Sequence, residues 1–221
     1  MKLTIVAATG GIGRLILEQA LAAGHDVTAV VRNPAKLSTP VRVVAADLAS
    51  PDPAVLESAV SGADAVLSGL GARSKADSGV ATRGTQAIIN AMKATGVRRI
   101  VVVSAAPIGT MPSPGNPHPP RHDPGDGFMM RHVLNPMVKK VLREHYTDLA
   151  TMEEALRESE LDWTIVRPPR LTDKPLTGNY RTAVGRNLRG GTTISRADVA
   201  HLMLQVQRQP ETSRTTIGVA Y

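Results

Sequence analysis

The chain has 221 residues, is 42% hydrophobic and 20% charged, and is long enough to bury one full core as a single domain over residues 1–221. It has no cysteine, which excludes disulfides and thiolate chemistry, and only 2% aromatic residues, so a substrate pocket must be built from aliphatic side chains, Met and backbone. The net charge of +7 is spread along the chain without a run of five basic residues and with almost no aromatics for base stacking, which points away from nucleic acid and toward a generally basic surface or one serving an anionic small molecule.

Strands and helices alternate from the start. Leu3–Ala7 reads as a strand, and Gly11–Ala23 as a helix with Ile12, Leu15, Ile16 and Ala20 near helical spacing, closed by Gly24 as a left-handed cap. Val27–Val31 and Val41–Ala45 follow as strands, then Pro53–Val60 as a helix and Ala65–Leu67 as a strand. Gly79–Thr95 reads as a helix ended by Gly96, and Arg99–Val103 as a fully buried strand. Short apolar runs with helices between them predict an α/β fold, a Rossmann-like doubly wound parallel sheet with helices on both faces.

The second half is less regular. Residues 107–127 form a Pro- and Gly-rich loop too long for a connector, expected as a mobile lid over the substrate. A long helix is expected over Pro136–Glu160, with Val138, Val141, Leu142, Leu149, Met152 and Leu156 on one stripe. LDWTIVRPP is a strand halted by two prolines, and Ser195-Arg196-Ala197-Asp198 opens a helix as a capping-box-like start. The closing TTIGVA reads as an edge strand. No apolar run approaches the ~20 residues of a membrane span, and LTIVAATGGIG is too short and Gly-interrupted for a signal peptide. A cytoplasmic protein with no membrane partner is therefore expected.

The first strand runs into Ala8-Thr9-Gly10-Gly11-Ile12-Gly13. In a β-α-β unit a dinucleotide's pyrophosphate rests on the amino end of the first helix, where free N–H groups and the helix dipole favour an anion. Glycines there let the backbone approach the phosphates and let the helix pack on its strand. Arg32 stands at the end of the second strand, with Lys36 close behind, where an NAD-specific site would carry Asp or Glu. A cation there suits a 2′-phosphate with nothing acidic competing, so NADP(H) is the expected cofactor. Asp47 after the third strand can accept from an adenine amino group while Leu48 backs the ring; a turn role for Asp47 competes. Gly69-Leu70-Gly71 lies after the fourth strand, where the backbone would pass the ribose and phosphates.

Ser104 ends the fifth strand, and a strand-end Ser bonding its own backbone is the plain alternative to a site role. The two His of HPPRHD at 118–123 have i, i+4 spacing, but two prolines forbid the helix that would let them chelate, so no metal is expected. The remaining histidines, His145 among them, show no clustering that argues for catalysis.

The chain resembles the atypical short-chain dehydrogenase/reductase group of NmrA-like, NAD(P)H-binding proteins, closest to the flavin reductase/biliverdin IX-beta reductase type. The resemblance is carried by AATGGIG at 7–13, VRNPAK at 31–36, ADL at 46–48, VVVSA at 101–105, ALRESELDWTIVRPPRLTD at 155–173 and PLTGNYR at 175–181. It implies NADPH-dependent hydride transfer to a flavin, quinone or other conjugated small-molecule acceptor, in a pocket shaped by 107–128 and 168–195. It also implies Ser104 near the nicotinamide, with Pro168 and Arg170 facing that end.

Three features depart from such relatives. Ala7 stands where the glycine motif often begins with Gly, and Arg170 stands where His often follows the two prolines. The usual Tyr-x-x-x-Lys pair is missing, since Tyr146 is followed four residues on by Ala150. Arg170 can hold an anionic acceptor but is equally a surface ion pair, and Tyr146 at core spacing competes with plain packing. A non-catalytic NADP(H)-binding redox sensor is the alternative reading. Homodimer formation through the helices at 79–95 or 136–160 is left open.

Overall fold

The computed structural model describes residues 1–72, 74–127, 137, 139 and 141–221. Eight strands form one sheet in the order β3-β2-β1-β4-β5-β6-β10-β8. They are β1 (Lys2–Val6), β2 (Asp26–Val31), β3 (Arg42–Ala45), β4 (Ala65–Ser68), β5 (Arg99–Val103), β6 (Asp162–Arg167), β8 (Arg181–Val184) and β10 (Thr215–Ala220). All neighbours run parallel except β8, which is antiparallel to β10. Two short strands, β7 (Arg170–Thr172) and β9 (Thr193–Ser195), pair in parallel outside this sheet.

Helices α2 (Pro53–Val60), α3 (Val80–Thr95) and α4 (Arg143–Glu158) cover one face with Leu56, Ile88, Met92, Met152 and Leu156. Helices α1 (Gly11–Ala22) and α5 (Arg196–Val206) cover the other with Ile16, Leu17, Val199 and Met203. Strands between two such layers are buried on both sides, which is why β4 and β5 read as unbroken apolar runs. Chain order reverses between β1 and β4, the switch point at which an open parallel sheet leaves a crevice at its carboxyl ends.

The predicted elements of the first half match to within a residue or so, because local signals terminate them. At the end of α1, Gly24 takes φ +74 while its N–H and that of His25 donate to Leu21 O and Ala20 O, a Schellman closure. Asp52 caps α2 and accepts from Ala54 N and Val55 N. Ser195 caps α5, its Oγ accepting from Asp198 N.

Corrections fall mostly in the second half. The helix expected over 136–160 is interrupted at Leu142: residues 137, 139 and 141 are helical, and α4 then runs from Arg143 to Glu158, ending there because Glu160 turns into the left-handed region at φ +61. Val141 (77% exposed) and Leu142 (41%) stand outside the core stripe that Leu149, Met152 and Leu156 form, while Pro136 and Val138 lie outside the described residues. TTIGVA is not an edge strand: β10 lies between β6 and β8, since β8 returns to cover it. Ala7 is not the last strand residue but the first of the turn, at φ +57. That conformation is strained for a side-chain-bearing residue and explains why such motifs favour glycine there.

Candidate functional site

The carboxyl ends of β1, β2, β4 and β5 open into a groove in two continuous parts that share Ala7, Leu70 and Gly71. The first part is walled by Val30, Leu48, Leu70 and Val80, with Thr9, Arg32, Asp47 and Asp77 as its polar edge. The second runs over Gly10, Gly11, Ile12 and Gly69 to Val103, Ser104, His145, Leu149, Leu171 and Arg196.

Between the two parts lies the start of α1. Gly10 is its N-cap and makes no side-chain capping bond, and no acidic residue occupies the first turn. The first amides of a helix have no intrahelical acceptor, so here they are left to a ligand, and the dipole favours an anion. Close backbone packing holds this end in place. A Cβ on Gly13 would stand 2.2 Å from Ala7 O, and one on Gly69 would stand 2.8 Å from Gly13 N. Gly13 therefore lets α1 sit against its own strand, and Gly69 lets the end of β4 cross in front of it.

At the first part, Arg32 donates to Asp77 Oδ1 at 3.1 Å, and Asp77 Oδ2 accepts from Ser74 Oγ. The expectation that nothing acidic competes for this cation is thus corrected. Asp77 comes from a short 3-10 turn 45 residues further along, a contact that no local pattern announces. Asp47 Oδ1 accepts from Ala49 N, so it serves as a turn residue and also edges the groove.

At the second part, Ser104 Oγ–H donates to Glu153 Oε1 at 2.6 Å. Glu153 is fully buried, and its carboxylate is held by Arg167 through both oxygens and by Arg157 Nη2 at 2.5 Å. Burial alone would push this carboxyl up. The charge and hydrogen bonds of Arg167, with Arg157 and Ser104, outweigh it, so Glu153 titrates below its ordinary value and is ionised. The single Ser104 proton is therefore committed away from the groove, and its Oγ offers the groove an acceptor. Arg196, the first residue of α5, reaches Gly11, with Cδ 3.1 Å from where a Cβ would be, and pairs with Asp173 at 2.6 Å. The imidazole of His145 is half-buried; burial lowers its pKa below 6.5, against the opposing pull of Asp148.

Eleven residues singled out in the sequence come together on this groove: Thr9, Gly10, Gly11, Ile12, Arg32, Asp47, Leu48, Gly69, Leu70, Gly71 and Ser104. Six others do not line it. Ala8 is buried in the core, Gly13 packs behind the turn, and Lys36 is exposed on its own 3-10 turn. Pro168 is buried with its carbonyl accepting from Ala106 N. Arg170 is exposed on β7, and Tyr146 is buried in the core, where burial raises its phenol pKa. For these last two the adjacent residue, Leu171 or His145, reaches the groove, since one step reverses a strand's facing and turns a helix by 100°.

The 107–127 segment is not a free lid. Asp123 Oδ1 accepts from Gly125 N and Asn187 N, and Asn187 Nδ2 donates to Ala106 O and Asp126 Oδ1. Its described residues border a separate pocket beyond Glu153, near Met111 and Arg157, rather than the groove. Residue 128 lies outside the described residues.

Comparison with known proteins resolves the family. The profile of the NAD(P)H-binding family matches residues 7–210. The chain belongs to that family. An uncharacterized chloroplastic protein of Arabidopsis thaliana is 28% identical over 230 residues, covering 99% of this NAD(P)H-binding chain and 76% of its own length. A short-chain dehydrogenase/reductase from Veillonella parvula, solved in complex with NADP, superposes with a TM-score of 0.77 at 20% identity, covering 100% of this chain and 94% of that one. ChuY, an anaerobillin reductase from Escherichia coli O157:H7, superposes with a TM-score of 0.75 at 21% identity, with 99% and 97% covered. The two solved structures share the Rossmann-like sheet described above. Among the described residues no cluster of three His, Cys, Asp or Glu could hold a metal, and no helix is long and apolar enough to cross a membrane.

Proposed function

We propose that this NAD(P)H-binding chain is a reductase that uses NADPH to transfer hydride to a flavin, quinone or other conjugated small-molecule acceptor. The observation that carries the reading is the uncapped amino end of α1, set midway along a groove whose two ends differ in chemistry. The residues fit a dinucleotide. The amides that open α1, with Arg196 beside them, take the diphosphate. Val30, Leu48 and Val80 form an apolar slot for a base, with Asp47 at its edge for the exocyclic amine. Arg32 exchanges Asp77 for a 2′-phosphate, a stronger, doubly charged partner. When bound, the dinucleotide supplies the hydride. Around it, Ile12, Val103, Leu149 and Leu171 exclude water, and Ser104 Oγ, as an acceptor, orients a carboxamide N–H.

An acceptor whose charge delocalises does not need the strongly acidic Tyr of a Tyr–Lys pair, although its reduction still takes up a proton. The fold shared with an anaerobillin reductase and with an NADP-bound dehydrogenase supports the same reading. The absence of that pair equally favours the second reading, a redox sensor that binds NADP(H) without turnover. The test is calorimetry with both dinucleotides, followed by NADPH oxidation with FMN, menadione or dichlorophenol-indophenol. Tight NADPH binding with turnover of one acceptor is expected. Binding without turnover of any acceptor would favour the sensor, and no binding of either dinucleotide would refute both.

A further inference from the structure

Three side chains with polar ends line the second part of the groove: Ser104, His145 and Arg196. Reduction of a conjugated acceptor adds a hydride and a proton, and the proton must come from somewhere. The proton of Ser104 is held by the ionised Glu153, whose two arginines keep it from returning one. Arg196 is a guanidinium, which does not act as an acid near neutral pH, and it is paired with Asp173. Tyr146 faces the core. Resting on the reductase reading above, we propose that His145 is the general acid of this site, delivering a proton to the acceptor from the first turn of α4.

The step balances. The acceptor gains a hydride with its electron pair from the reduced dinucleotide, and its second atom takes the N–H proton of the His145 imidazolium. With the oxidised dinucleotide as the other product, the ring would be left as neutral imidazole and recharged from solvent. Asp148 and the Tyr146 ring, whose centroid lies 5.9 Å away, are on the same helix as His145, while Ser104, just after β5, and Arg196 from α5 line the same part of the groove. Asp148 itself accepts from the amides of Ala81 and Thr82 on α3. Desolvation keeps most His145 neutral at pH 7. The active imidazolium is then a minority species, and turnover rises as pH falls toward the ring's pKa.

Two measurements on the intact chain test this. The first follows the six histidine ring signals by NMR, with His145→Gln used for assignment; titration with oxidised NADP should move the His145 signal and shift its pKa. A His145 signal that is indifferent to bound dinucleotide overturns the proposal whatever the activity. The second compares pH profiles of menadione reduction from pH 5.5 to 8. His145→Gln should bind NADPH within about twofold of wild type, lose roughly 10²-fold in rate at pH 6, and lose the rise toward acid. Imidazole should partly restore His145→Ala. An unchanged rate and profile in a variant that still binds NADPH refutes His145 as the acid. Failure of wild type to bind any dinucleotide refutes the reductase reading instead.

Discussion

Replacing Glu153 by Gln perturbs the buried charge cluster that orients Ser104, at nearly constant volume. Glu153 has no exposure and the Arg167 side chain only 8%, so neither ion can turn to water when the other is lost. Breaking one partner of a buried pair leaves an uncompensated charge, at about 3–5 kcal/mol. The Arg157 contact adds little, because that side chain is already 43% exposed. At ~2–4 °C per kcal/mol for a chain of this size, the midpoint should fall by roughly 6–20 °C. Part of the loss should return in Glu153→Gln/Arg167→Met, which removes the orphaned charge. The sign of the pH effect follows from the depressed carboxyl. The unfolded chain takes up the proton first, so the cluster's contribution is complete above the ordinary value of 4.5 and disappears as pH falls through the lower folded value. Urea unfolding from pH 7 down to pH 3 should show that loss in wild type and not in the variant. A destabilisation under about 1 kcal/mol, with the same acid slope in both proteins, would refute the account of Glu153 as an ionised, two-arginine clamp.

Arg32→Glu should weaken NADPH binding by about tenfold or more and improve NADH relative to it, while Asp77→Asn should tighten NADPH by removing its competitor; calorimetry on both variants checks the 2′-phosphate assignment. Ser104→Ala should slow turnover with little change in NADPH affinity, and an unchanged rate would remove its role in orientation. Ala7→Gly should raise stability by up to about 1 kcal/mol, because it relieves the left-handed strain at φ +57. Gly13→Ala should cost about 3 kcal/mol or more, since its Cβ meets the Ala7 carbonyl at 2.2 Å. Thermal melts of both variants measure these effects.

The first half of the fold was legible because its information is local. Gly24 and Gly96 end helices through their own φ, Asp52 caps through bonds within three residues, and Arg32 follows a strand whose length its own apolar run sets. The glycine turn was legible for the same reason, as its spacing states which backbone must come close. Tertiary packing alone decided the rest. It brought Asp77 to Arg32 across 45 residues and hid Glu153, one carboxylate in an exposed-looking REHYTDLATMEEALRE pattern, between two arginines. It also moved the groove-facing role from Tyr146 to His145 and from Arg170 to Leu171, since facing depends on how a helix or strand is rotated against the sheet. Rotation and long-range ion pairing are fixed by which surfaces meet. A linear pattern carries the period of a face but not the neighbour that the face will find.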